Sequence, residues 1–166
     1  GKLFQMMEAT DSVRFNSQAV REILLFTEKM TAYPVDVATR RKMVHICMSV
    51  LNMLSSGVVG DPDEDEEAAM RRDNAFADHC VSTLLHFGEY EPLTRFIKDR
   101  AVNPKGMRIP AGSLNKCMEK AVNNRITSLA DACLFHEKQR PFVQLHYQLK
   151  ETHAAFVESK ESLLIF

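Results

Sequence analysis

The 166-residue chain has no tryptophan, and its 21 Lys and Arg are matched by 22 Asp and Glu, leaving a net charge of −1. A charge so near zero gives no global field to recruit nucleic acid or an anionic membrane, so polyanion binding would need a local patch. No apolar run approaches the roughly 20 residues of a membrane-spanning helix. The first residues also lack the basic-then-apolar pattern of a secretory signal. We therefore expect an intracellular protein, cytoplasmic or nuclear, with no membrane partner. G-x-S-x-G and G-x-x-x-x-G-K are missing too. Their absence removes the nucleophile-elbow hydrolases and the phosphate-cradling loops from consideration.

Paired cysteines are equally scarce. Cys47, Cys80, Cys117 and Cys133 are scattered, and only Cys133-x-x-His136 has workable zinc spacing. A structural zinc site needs a second such pair. His79 and Cys80, as helical neighbours, point in different directions and cannot readily share a metal. The simplest reading is reduced thiols serving as small core residues, with no metal and no other cofactor. His79 and His86 are seven apart, as are His146 and His153, but no orienting partner is visible for any of them. No catalytic residue is assigned and no enzyme is expected.

What the chain does have is apolar residues at helical spacing almost throughout. Val20, Ile23, Leu24, Thr27 and Met30 form one helical face, ended by Tyr33-Pro34. Asp36 can cap a long helix carrying Val37, Val44, Cys47, Met48, Leu51 and Leu54, with Gly57 and Gly60 at its end. Glu91-Pro92-Leu93 opens a helix to about Arg100, and Ser113 is a candidate cap for Leu114 to Val122. Another helix runs from about Ile126 to Lys138. Pro141 at a first helical position opens a separate last one, with Phe142, Leu145, Leu149, His153 and Phe156 inward. KLFQMMEA at the start adds an amphipathic turn or two. The expected fold is all-α, an irregular bundle or a HEAT-like stack of about seven to eight helices, in a single domain over 1–166.

The acidic stretch GDPDEDEE reads as a helix start. With Asp61 at the N-cap, Pro62 takes the first helical position and Glu64 the capping-box position. Asp63, Glu64 and Asp65 then sit at the positive end of the helix dipole. A calcium loop fails, because its sixth and twelfth positions would be Glu66 and Arg72 rather than glycine and a bidentate glutamate. Gly57-Val58-Val59-Gly60 has the spacing of a phosphate-clamping loop, but the six carboxylates that follow would repel phosphate.

One charge asymmetry stands out. Arg95, Lys98, Arg100, Lys105, Arg108, Lys116, Lys120 and Arg125 are opposed in that segment only by Asp99 and Glu119. The irregular piece AVNPKGMRIPAG lies in its middle. This patch could take an acidic peptide or partner, a nucleic-acid backbone, or the protein's own acidic helix start. No aromatic residues interleave with it, which counts against single-strand binding. The chain opens Gly1-Lys2-Leu3 and closes on Leu163, Leu164, Ile165 and Phe166, a tail expected to dock on this domain, a second copy or further chain. We expect a non-catalytic protein–protein interaction domain, a scaffold or adaptor element cut from a longer protein and able to self-associate. The alternative is a nucleic-acid-binding helical domain using residues 95–125.

Overall fold

A computed structural model of the protein describes residues 16–103 and 107–164; beyond residue 142 it describes the side chains of Leu145, Gln148, Leu149 and His153 only. Among the described residues there are six helices and no strands. In chain order they are α1 (Ser17–Thr31), α2 (Val37–Ser56), α3 (Glu66–His86), α4 (Tyr90–Val102), α5 (Ala111–Asn123) and α6 (Thr127–Leu164). None is long and apolar enough to cross a membrane. The KLFQMMEA segment lies outside the described residues.

The count falls below seven to eight because the last two expected helices are one. Pro141 sits inside α6 rather than opening a new helix. Its ring removes one backbone donor and crowds the carbonyl four residues back, a disruption of about 3 kcal/mol in a helix interior. The strong helix formers Glu137, Lys138, Gln139 and Arg140 lead into it, and the helix carries across. Beyond it the expected inward face is not seen. Phe142 is 65 % exposed, Leu145 49 % and Leu149 60 %, and His153 is also exposed.

The first two helices follow their sequence signals. Val20, Ile23, Leu24 and Thr27 are the buried face of α1. Asp36 caps α2, its carboxylate accepting from Thr39 N at 2.7 Å, and Gly57 ends it at φ 70°, a left-handed geometry where glycine carries no Cβ strain. Val37, expected on the buried side of α2, is exposed.

The acidic run is a helix start with a different division of labour. Asp65, not Asp61, is the N-cap of α3, accepting from Ala68 N at 2.7 Å. Asp61 instead accepts from Ser17 N at 3.1 Å and Ser17 Oγ at 2.5 Å, so it caps the first turn of α1 from 44 residues away. Those hydrogen bonds from Ser17 hold its carboxyl below the ordinary range. Glu64 pairs with the buried Arg72, which also reaches Asp73 at 2.8 Å and the Val59 carbonyl at 3.0 Å. Tertiary partners outcompete the local capping box: Ser17 engages Asp61, and Glu64 satisfies the buried guanidinium of Arg72.

The helices form a bundle around α3, which packs against α1, α2, α4 and α5, while α6 lies on α4 and α5. One apolar cluster runs through it from Val20 to Cys133. All four cysteines are free and buried inside it. Burial, followed by the neighbouring Cys47, pushes the Cys80 thiol up. A hydrogen bond with Cys133, then burial, does the same for Cys117.

Candidate functional site

Ser113 was expected as a cap, but α5 starts earlier, at Ala111 after Pro110. Ser113 is therefore buried within the helix, its hydroxyl donating to Asp78 Oδ1 at 3.1 Å. That early start has a consequence for the surface. The connection Met107–Pro110, which is neither helix nor strand, precedes α5 and buries Ile109 in the core.

Two cavities flank this connection. The larger, about 580 Å³, lies between the end of α2 (Leu54, Gly57), the first half of α3 (Glu66, Ala69, Met70, Asp73, Asn74) and Met107–Ala111. The second, about 320 Å³, lies between Leu114, Asn115 and Met118 of α5 and Cys133 and Glu137 of α6. Ala111 and Arg140 line both, so the two cavities adjoin at these residues, and together they are called the groove. Its walls are mainly aliphatic carbon and methionine. Its charges are Glu66 and Asp73 on α3, Arg108 on the connection, and Arg140 with its partner Glu137 on α6. Met70 stands 58 % exposed at the edge. An aliphatic channel with a few placed charges is the form expected of a site that takes apolar side chains in a fixed orientation.

A cavity of about 480 Å³ between α1 and α3 is more polar, lined by Glu28, Asp78, His79, Ser82 and His86 among others. Three of its polar side chains, Asp78, His79 and Ser82, are engaged within the fold. Asp78 accepts from Ser113 and from Lys116 Nζ at 2.6 Å, and Lys116 also reaches Ser82 Oγ at 3.3 Å. The Thr27 hydroxyl donates to the Leu24 carbonyl at 2.7 Å, so at the 3.0 Å contact it accepts from His79 Nε2. His79 thus acts as a donor there. Among the described residues no three His, Cys, Asp or Glu side chains cluster closely enough to hold a metal ion.

The basic segment read from the sequence is dispersed. Arg95 is exposed and lies 4.0 Å from Glu91 on its own helix, and Lys98 is exposed on α4. Arg100 is buried, with Nη1 donating to the Met107 carbonyl at 3.3 Å and Nη2 lying 3.6 Å from Asp99. Lys105 lies outside the described residues. Arg108 lines the groove, Lys116 is engaged by Asp78 on α3, Lys120 is half-buried on α5, and Arg125 is exposed at the α5–α6 turn with φ 56°. Arg100 and Arg108 do meet, and two residues that the segment did not include, His136 and Arg140, join them around one small void. The available signal was their spacing of four on one helix, masked by expecting a helix boundary at Pro141. Of the tail, Leu163 and Leu164 close α6, while Ile165 and Phe166 lie outside the described residues.

No protein-family model, curated protein or solved structure matches the chain.

Proposed function

We propose that this chain is a non-catalytic protein-interaction domain that holds a segment of a partner protein in the groove bounded by α3, the Met107–Ala111 connection, α5 and α6. The groove itself carries the reading. Its aliphatic walls reward buried apolar side chains, and Arg108 and Arg140 favour acidic residues beside them. The placement of the cations favours a peptide over nucleic acid. Lys116 is committed to Asp78 and Arg100 is buried. Lys98, Lys120 and Arg125 are spread over α4, α5 and the α5–α6 turn, which disperses the charge available to a phosphate backbone. Selection of twelve-residue peptides on the full chain tests this. Apolar-acidic sequences should be enriched, and Met70→Glu at the exposed rim should weaken them about ten-fold. Failure to enrich any sequence, or indifference to Met70→Glu, overturns the reading. Steeply salt-dependent binding of mixed RNA or DNA in its place would favour the nucleic-acid alternative.

The exposed face of α6 favours a second partner, another copy of this chain. Phe135, Phe142 and Leu149 are all at the surface, and Phe156 and Leu163 continue the same seven-residue spacing in sequence. Apolar residues seven apart lie on one face of a helix, a face that a second helix can cover. The flanking positions His146, His153 and Lys160 on one side and Gln148, Ala155 and Ser162 on the other carry no acid–base ladder. A parallel pair places unlike sides together, whereas an antiparallel pair would set the basic side against itself. Sedimentation of the full chain should show a weak dimer that Phe142→Glu with Leu149→Glu dissolves. A monomer at every concentration would exclude this partner.

A further inference from the structure

We infer that the corner of the groove formed by Arg108, Arg140 and His136 seats an oxyanion of the bound segment, a carboxylate or a phosphate monoester. This rests on the groove reading above and specifies the chemistry of its ligand. Three guanidinium groups from three parts of the fold, Arg100 of α4, Arg108 of the connection and Arg140 of α6, line one void together with the His136 imidazole. His136 is only 6 % exposed, and its Nδ1 has no hydrogen-bond partner among the described residues. Arg140 Nε, at the same void, is likewise buried without one. Buried polar atoms of this kind are uncommon, and each carries a desolvation penalty until a partner arrives, an acceptor for Arg140 Nε and for His136 Nδ1 in its protonated form.

The local charge is positive. Glu137 meets Arg140 at 2.8 Å and lies 4.0 Å from His136 Nδ1, and Asp99 lies 3.6 Å from Arg100. Among the described residues, two carboxylates against three guanidiniums leave an excess cation before the imidazole gains a proton. Arg100 serves chiefly to hold the frame, its hydrogen bond to the Met107 carbonyl tethering the connection that carries Arg108. Arg140 is about one-third exposed and Arg108 half-buried, so both can present donors to the groove. The void measures about 10 Å³, room for one oxygen atom rather than a whole phosphate. One oxygen enters toward His136 Nδ1 and Arg140 Nε, and the remaining oxygens stay in the groove against Arg108. Charge-assisted bonds of this kind are about twice as strong as neutral ones and select for the anion.

The test uses the full chain and three degenerate peptide pools, identical except for a fixed central phosphoserine, glutamate or glutamine. One or both anionic pools should bind at least about ten-fold more tightly than the glutamine pool, and whichever does so identifies the source of the oxyanion. Arg140→Gln or Arg108→Gln should erase that preference without changing the glutamine pool. Separately, inorganic phosphate should raise the pH at which the His136 imidazole titrates, followed by its proton resonances, and should not do so in Arg140→Gln. Equal binding of all three pools together with a His136 titration unmoved by phosphate or by the glutamate pool overturns the inference. If no pool binds, the groove reading fails while the phosphate titration still decides the oxyanion seat.

Discussion

Arg72 shows how a single buried cation reorganises its neighbourhood. Its side chain is 6 % exposed and is matched by Asp73 on its own helix and by Glu64 and the Val59 carbonyl of the α2–α3 connection, which it ties to α3. Removing it leaves two carboxylates with no counter-charge in a half-buried setting. Arg72→Met should destabilise the protein by about 3 kcal/mol, read as a lower urea midpoint, whereas Arg71→Met, in an exposed ion pair with Glu67, should change almost nothing.

The titrating groups set two windows of pH dependence. Hydrogen bonds from Thr39 depress Asp36, and hydrogen bonds from Ser17 depress Asp61. Their stabilisation is complete above the unfolded carboxyl value near pH ~4 and disappears as pH falls through the lower folded values. Burial depresses His136, with Arg140, Arg108 and Arg100 acting in the same direction and Glu137 opposing them. The unfolded chain then takes up a proton first, so stability falls as pH drops below the ordinary histidine value of ~6.5. His136→Gln should flatten the urea midpoint between about pH 7 and pH 5. An unchanged slope would show that another group is responsible.

Helix boundaries followed local chemistry where nothing distant competed. Asp36 and Gly57 delimit α2 as capping rules require. Gly57→Ala should lower stability by about 1 kcal/mol, since open space surrounds the site and only the left-handed φ resists a Cβ. Pro141 is the contrary case, because a rule about proline holds for a helix end and α6 had no reason to end there. Pro141→Ala should restore one helical hydrogen bond and raise stability by about 1–3 kcal/mol, seen as a higher melting temperature with more helical circular dichroism. No gain would indicate two helices meeting at the proline.

The bundle is built on one continuous apolar cluster that contains Cys47, Cys80, Cys117 and Cys133. These thiols should resist a water-soluble disulfide reagent in native buffer and all become reactive over a single urea transition with one midpoint. Staggered labelling, with Cys47 and Cys80 separated from Cys117 and Cys133, would reveal two folding units instead of one.

Apolar spacing along the chain decided that it is helical, where α1 and α2 lie and which of their faces are covered, because a helix's buried stripe is a local pattern repeated every few residues. The partners of Asp61 and Glu64, the continuity of α6 through Pro141, and the meeting of Arg108 with Arg140 were settled only in three dimensions. Asp61 meets Ser17 from 44 residues away and Arg108 meets Arg140 of a different element, and no local pattern records which distant group wins such a competition.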